Sequence, residues 1–151
     1  MPDAATALSL VALDREGLAV ISAHAQNSCV KRGEIDWSPG RKRFVVGAMR
    51  YDWAAAKLGR HERVGAALRF DRVLRVSQIG MAPASEGAAQ NLLGVTFEKT
   101  DSPSGIVVLA FADGGLIRLE VECLEVALRD IGPRAEAQAC AGHALTKAEA
   151  E

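Results

Sequence analysis

The sequence contains few cysteines and few aromatic residues, and both shortages limit the classes of protein it can belong to. Its 151 residues include three cysteines, Cys29, Cys123 and Cys140, with no C-x-x-C pair among them. An odd number without paired spacing argues against a disulfide framework or a zinc site and favours a reducing compartment. Aromatic residues make up 5%, so we expect a core built mainly from aliphatic side chains.

Long apolar segments and export signals are also missing. The longest candidate segment, Gly17–Val30, is interrupted by several polar residues and falls short of the roughly 18 uncharged apolar residues that a membrane span needs. The first residues include Asp3 and no basic stretch ahead of an apolar segment, so no signal peptide is expected. We therefore predict a cytoplasmic protein without a membrane span.

Charge is nearly balanced overall but unevenly distributed along the chain. The formal net charge is −1, yet residues 1–75 hold 13 Lys and Arg against 8 Asp and Glu, and residues 41–75 alone hold ten against three. Such a local basic excess is typical of a surface for an anionic partner, unless the two halves of the chain lie side by side and neutralise each other. Nucleic-acid binding is not expected, because the domain lacks a net basic charge and a stripe of aromatic residues.

Known motifs for catalysis and for cofactor binding are absent from the sequence. There is no H-E-x-x-H, no G-x-S-x-G, and no glycine-rich loop between a strand and a helix. We therefore expect no metal site, no nucleotide cofactor and no catalytic constellation.

Hydrophobic periodicity predicts a strand at Leu8–Leu13 and, after Asp14 as N-cap, a helix reaching about Asn27. Alternating segments further along predict a series of strands joined mostly by short turns. These strands are Val30–Trp37, Arg43–Arg50, Leu92–Lys99, Ile106–Ala112 and Leu116–Cys123. Leu124, Ala127, Leu128 and Ile131 then follow helical spacing up to Gly132-Pro133, which predicts a C-terminal helix.

This order of elements predicts an α+β domain at residues 1–132 and a flexible tail at residues 133–151. Short connections favour antiparallel pairing, so we expect a sheet or partly open barrel of about 6–8 strands with a helix near each terminus. Strands closed by a C-terminal amphipathic helix are also the order of pleckstrin-homology-like barrels, apart from the additional N-terminal strand and helix here.

The sequence around Arg72 is compatible with two local structures. Leu68, Phe70 and Leu74 share one parity, so an uninterrupted strand would direct Arg72 into the core, where it would need a carboxylate partner. Alternatively, a bulge or turn at Asp71-Arg72 separates two strands and leaves the guanidinium outside.

The best candidates for binding are the basic and aromatic residues Arg50, Tyr51, Trp53, Arg69 and Arg72. Tyr and Trp beside arginines are typical of recognition surfaces for proteins or anions, although the same residues could simply close one end of the sheet. We therefore predict a non-catalytic binding or protein-interaction module, with a protein or small anion as partner and homo-oligomerisation as an option.

A small enzyme is the alternative. Its chemistry would use Cys29 and His24, or the Glu120/Glu122 pair, whose carboxylates lie about 7 Å apart on one face of a strand. That hypothesis requires these groups to converge in one pocket.

Several segments together resemble a family of short alphaproteobacterial proteins of unassigned function. They are Leu10–Asp14, Tyr51–Trp53, Leu68–Val73 and Ile117–Cys123. The resemblance extends to about Gly132 and implies a single small cytosolic domain without a known cofactor. It supplies no catalytic residues.

Overall fold

The computed structural model describes residues 7–81 and 89–137, and this part of the chain is dominated by β-strands. A single turn of 3-10 helix at Pro39–Arg41 joins the second and third strands. The helices are α1 (Arg15–Ala25) and α2 (Trp53–Ala56), and the strands are β1 (Ser9–Ala12), β2 (Ser28–Ser38), β3 (Arg43–Tyr51), β4 (Glu62–Asp71), β5 (Val73–Ile79), β6 (Ala89–Lys99), β7 (Gly105–Phe111), β8 (Leu116–Val121) and β9 (Val126–Glu136).

The strands form one nine-stranded antiparallel sheet in the order β1-β9-β4-β3-β2-β6-β7-β8-β5. Short connections between consecutive strands produce four of the eight neighbouring pairs, as antiparallel pairing predicts. The other half join strands that are distant in sequence: β9 lies between β1 and β4 and pairs with both, β2 pairs with β6, and β5 pairs with β8. An antiparallel sheet is thus confirmed, with more strands than the sequence predicted.

Arg72 lies at a kink between β4 and β5. Its φ of 65° is in the left-handed region, and its side chain is exposed. On either side of the kink, the N–H of Asp71 donates to the carbonyl of Glu125 and the N–H of Glu122 donates to the carbonyl of Arg72. The β4–β5 segment therefore stays beside the β8–β9 segment through the kink, and the bulged alternative is confirmed.

One face of the sheet surrounds the main hydrophobic core, which also includes α1. Leu18, Ile21 and Ala25 of α1 are buried in it, as its periodicity predicted. Strands from both halves of the sheet contribute to the same cluster, so the sheet curls around it. Its largest strand residues are Phe44, Phe70, Phe97 and Phe111, surrounded by Val46, Leu68, Leu92, Val95, Val107, Leu109, Ile117, Leu119, Val126 and Leu128.

Local signals located α1 correctly. The Asp14 carboxylate accepts a hydrogen bond of 2.8 Å from the N–H of Gly17, which satisfies a helix N–H that has no partner within the helix. The segment between Asp52 and His61 begins with α2 and continues as a turn.

The predicted C-terminal helix is wrong, because residues 126–136 form β9 instead. Val126 and Leu128 are buried and Ile131 is exposed, a period-two arrangement that the helical spacing had obscured. Pairing with β1 on one side and β4 on the other settles the conformation. The strand also removes the helix on which the pleckstrin-homology-like analogy depended.

Gly132 and Pro133, expected to end a helix, lie within β9 opposite a bulge. The β4–β9 register shifts between Val64 and Ala66, and a Cβ on the intervening Gly65 would lie 2.3 Å from the carbonyl oxygen of Gly132. Glycine at position 65 is what allows the two backbones to approach this closely. The sheet consequently continues four residues beyond the predicted boundary at 132, and residues 138–151 of the expected tail lie outside the described residues.

Neither helix in the described part of the chain has the length and apolar character that crossing a membrane requires.

Candidate functional site

The five predicted binding residues lie at opposite ends of the β3–β4 pair. Arg50, Tyr51 and Trp53 are at or just after the end of β3, whereas Arg69 and Arg72 are at the end of β4. Tyr51 pairs with Arg63 and Arg43 pairs with Asp71, so eight residues separate the two ends, or about 27 Å at 3.4 Å per residue. We call them the aromatic end and the Arg69–Arg72 end.

Arg50 is a buried structural cation. Its side chain is 2% exposed and that of Asp130 is 3% exposed. Nε and Nη2 of Arg50 donate to the two carboxylate oxygens of Asp130 at 2.7 and 2.8 Å, and Nη1 donates to the carbonyl of Tyr51 at 3.3 Å. Asp130 also accepts the N–H of Leu8, so this ion pair connects β3, β9 and the residues before β1.

The arginines at the Arg69–Arg72 end already have carboxylate partners. Asp71 accepts hydrogen bonds from both Arg43 and Arg69. Arg72 lies 3.4 Å from the Glu125 carboxylate and 3.8 Å from that of Glu122. An anionic ligand at this end would have to compete with these carboxylates for the guanidinium groups.

At the aromatic end, Tyr51, Trp53 and His61 form a small cluster. The rings of Tyr51 and Trp53 meet edge to face with centroids 4.7 Å apart. The Tyr51 hydroxyl and His61 Nδ1 share a hydrogen bond of 2.6 Å, and the Trp53 indole N–H donates to the carbonyl of Gln26. These contacts fix the orientation of the rings while leaving Trp53 36% exposed.

Asp52 connects α2 to the end of β9. Its carboxylate accepts the N–H of Ala55 at 3.0 Å as the N-cap of α2, and it accepts Arg134 Nη1 at 2.9 Å. Burial alone would raise the pKa of Asp52, but the Ala55 N–H, Arg134 and Arg50 together outweigh burial and lower it. Asp52 raises the pKa of Arg134 in turn, and Glu62 binds the same guanidinium at 3.0 Å.

Arg63 supports the cluster from the neighbouring strand. Its guanidinium donates to the carbonyls of Asn27 and Met49 and lies 5.9 Å from the centroid of the Tyr51 ring. Burial lowers its pKa, partly opposed by Tyr51. Backbone carbonyls and an aromatic face are both favourable surroundings for a buried cation.

Two concavities adjoin the aromatic end. One, the end pocket, holds about 130 Å³, and the other, the outer cleft, is open and holds about 610 Å³. Arg60 lines both, and among the described residues it has no ion-pair partner. The end pocket is lined by Leu8, His24, Arg50, Asp52, Ala54, Ala55, Leu58 and Arg60, and the outer cleft by Gly59, Arg60, His61, Glu62, Arg134, Ala135, Glu136 and Ala137.

The groups proposed for a small enzyme are not assembled into one site. His24 lines the end pocket, whereas Cys29 is disulfide-bonded, contrary to the expectation from the cysteine spacing, and so cannot act as a thiol nucleophile. Glu120 lies 3.8 Å from Arg75, and Glu122 accepts Lys42 Nζ at 2.7 Å, which lowers the pKa of Glu122. Within residues 7–81 and 89–137, no group of three or more His, Cys, Asp or Glu side chains is arranged to hold a metal ion.

Sequence reasoning missed several residues of the aromatic end. The predicted binding residues did not include Arg60, His61, Asp130 or Arg134. The spacing of Tyr51 and His61 across the α2 turn was a weak signal for their contact. The sequence contains no signal for the contact between Arg50 and Asp130, because the two residues are 80 positions apart.

Comparison with known proteins supports the resemblance found in the sequence. A family model described as a protein of unknown function, DUF2948, matches residues 8–143. No curated protein and no solved structure matches the chain. The predicted membership of a family of unknown function is confirmed, and the alphaproteobacterial origin stays a prediction.

Proposed function

The chain belongs to the DUF2948 family, whose function is unknown, and we propose that it is a non-catalytic protein-interaction module acting in the cytoplasm. Its recognition surface is the aromatic end, where Tyr51, Trp53 and His61 stand beside the outer cleft. The observation that carries the proposal is this aromatic cluster, held rigid by hydrogen bonds next to an open concavity.

The composition and exposure of the surface support a macromolecular partner. Trp53 is the first residue of α2, and Leu58, which follows this helix, is 74% exposed. Trp, Tyr and Arg are the residue types that contribute most binding energy in protein interfaces. The outer cleft is too open to enclose a small molecule, since such sites bury most of their ligand, whereas an extended segment of another protein fits an open cleft.

The charges of the cleft suggest what the partner presents. Arg60 has no ion-pair partner among the described residues, whereas Arg134 is held by Asp52 and Glu62. A partner carboxylate would therefore meet Arg60 without displacing an existing ion pair. Arg69 and Arg72 belong to the proposal only as a secondary anion-binding surface, because Asp71, Glu122 and Glu125 already bind them.

A homodimer is the second part of the proposal, and the outer edge of β5 supports it. β5 is the last strand in the sheet order, and its edge is unpaired within the described part of the chain. It carries one charged residue, Arg75, and exposes Leu74 and Ile79, so it lacks most of the features that block edge pairing. Sedimentation at micromolar concentration tests this, and a monomer alone argues against it.

Site-specific photo-crosslinking tests the recognition surface directly. We place p-benzoylphenylalanine at Leu58 in one protein and at Leu93 in a second, since Leu93 is 50% exposed on β6 and outside both concavities. Irradiation in extract of the native host should give a discrete adduct from position 58 only. A Trp53→Ala change should reduce that adduct at least about tenfold, as expected for loss of a dominant interface residue.

The control is Arg41→Ala, an exposed residue outside both concavities, which leaves the aromatic end unchanged and should leave the adduct unchanged. Equal adducts from positions 58 and 93, or an adduct insensitive to Trp53→Ala, would refute the site. Folding of every variant is checked by circular dichroism.

A further inference from the structure

We propose that the end pocket is a binding site for a short-chain monocarboxylate, a ligand of the size of acetate or propionate. The proposal goes beyond the protein-interaction surface, because the pocket is a separate concavity that shares only Arg60 with the outer cleft. It depends on three properties of the pocket, namely its donors, its net charge and its size.

The donors come from Arg50, Arg60 and His24. Arg50 uses Nε, Nη1 and Nη2 to bind Asp130 and Tyr51, and further N–H groups on its two Nη atoms have no partner among the described residues. A guanidinium presents its N–H groups in a plane that matches a carboxylate. Arg50 lines the pocket, and because the Asp130 ion pair holds its guanidinium in place, a ligand that reaches it meets a preorganised donor.

The charges around the pocket are nearly balanced, which disfavours a multiply charged anion more than a singly charged one. Arg50 and Arg60 contribute positive charges, Asp52 and the Asp130 carboxylate bound to Arg50 contribute negative ones, and His24 adds an imidazole. The oxygens of Asp52 are already bound by the Ala55 N–H and by Arg134, so Asp52 does not compete for the donors. Its charge nevertheless disfavours a dianion such as phosphate more than a monocarboxylate.

Size and wall chemistry define the rest of the ligand. A volume of about 130 Å³ suits a ligand as small as acetate or propionate. Leu8, Ala54 and Leu58 provide apolar walls on which a methyl or ethyl group packs. A pocket with apolar walls and a few convergent polar groups is the usual form of a small-ligand site.

The test is an NMR titration of the whole protein with sodium acetate against sodium chloride at equal ionic strength. The probes are the backbone N–H of Ala55 and the ring C–H signals of His24 in the end pocket, together with His61 and Glu136 in the outer cleft. Acetate should produce saturable shifts at Ala55 and His24, while sodium phosphate binds at least about fivefold more weakly because of Asp52.

Variants distinguish specific binding of acetate in the end pocket from nonspecific attraction of acetate to surface cations. Arg60→Gln should weaken acetate binding about tenfold through loss of one charge-assisted hydrogen bond. Ala54→Leu fills the pocket without changing charge and should abolish the shifts, whereas Arg41→Gln, at an exposed residue outside both concavities, should have no effect. Arg50 itself is left unchanged, because its ion pair holds the fold together.

The outcomes distinguish this proposal from the protein-interaction module. No saturable shift at Ala55 and His24, equal or tighter binding of phosphate, or indifference to Ala54→Leu overturns the carboxylate site and leaves the crosslinking result unaffected. Shifts confined to His61 and Glu136 also overturn it. Failure of the crosslinking experiment refutes the interaction module and leaves the carboxylate site standing.

Discussion

Removing the Asp130 carboxylate should destabilise this protein far more than removing an exposed one. In Asp130→Ala, the buried guanidinium of Arg50 keeps only the carbonyl of Tyr51, and the N–H of Leu8 loses its side-chain acceptor. Breaking a buried ion pair by deleting one partner costs about 3–5 kcal/mol, because the remaining charge is uncompensated. We expect the free energy of unfolding to fall by that amount.

Glu122→Ala is the matched control at the Arg69–Arg72 end. It removes a hydrogen bond of the same 2.7 Å length, but the side chains of Lys42 and Glu122 are 49% and 36% exposed. Exposed ion pairs contribute far less than buried ones, since solvent screens them. The contrast between the two variants therefore measures burial rather than bond geometry.

Urea unfolding followed by circular dichroism gives both free energies, with an unchanged m-value as the check that the native state is intact. The double variant Arg50→Met/Asp130→Leu should be less destabilised than Asp130→Ala alone, because no buried charge is left without a partner. A loss below about 1 kcal/mol for Asp130→Ala would refute the reasoning, since that is the range of exposed pairs. A double variant less stable than the single one would do the same.

Three further predictions concern the backbone and pH. Gly65→Ala should lower stability by about 1–3 kcal/mol, because its Cβ would lie 2.3 Å from the Gly132 carbonyl oxygen and one strand must move. Asp52→Asn should lower stability at pH 7 by about 1–2 kcal/mol through its weaker bond to Arg134. The folded state lowers the pKa of Asp52, so the stabilisation by its carboxylate is fully present above the ordinary carboxyl pKa. That stabilisation is lost as the pH falls through the pKa that Asp52 has in the folded state. The stabilities of Asp52→Asn and wild type should therefore converge in acid. Arg72→Gly should change stability by less than about 0.5 kcal/mol, because relief of the left-handed φ offsets the added chain entropy.

Each of these predictions has a control and a contrary result. Gly40→Ala meets no atom within 4 Å and should be nearly neutral, so an equal loss at positions 40 and 65 would contradict the close-approach argument. A stability gap between Asp52→Asn and wild type that persists unchanged in acid would contradict the assigned pKa direction. Arg75→Gly lies within β5 and should cost about 0.5–1 kcal/mol, so a smaller loss there than at position 72 would contradict the backbone argument.

Predictions from the sequence succeeded where local interactions decide the structure. Asp14 and the spacing of Leu18, Ile21 and Ala25 were enough to locate α1, because capping and helical burial act within a few residues. The C-terminal segment failed, because its conformation depends on pairing with strands that begin at Ser9 and Glu62. A single sequence does not reveal such distant pairing, and the apolar spacing there was compatible with both conformations.

The candidate site was predictable only in part for the same reason. Tyr51 and Trp53 were identified from their residue types, which are typical of interfaces. Whether Arg50 is available to a ligand depends on Asp130, and for Arg72 it depends on Glu122 and Glu125. These acidic partners are all distant in sequence from the arginines that they bind. Residue type thus identified Tyr51 and Trp53, but only the fold shows that Arg50 is buried whereas Arg69 and Arg72 are exposed.

The position of β9 between β1 and β4 determines when this domain finishes folding during translation. Until residues 126–136 have left the ribosome, β1 has no strand partner and one edge of β4 stays unpaired. Sequence separations of this size give slow folding and a nascent chain that exposes strand edges. We therefore expect nascent chains arrested before β9 to bind chaperones and to be cleaved readily by proteases, and resistance to appear abruptly once that strand emerges.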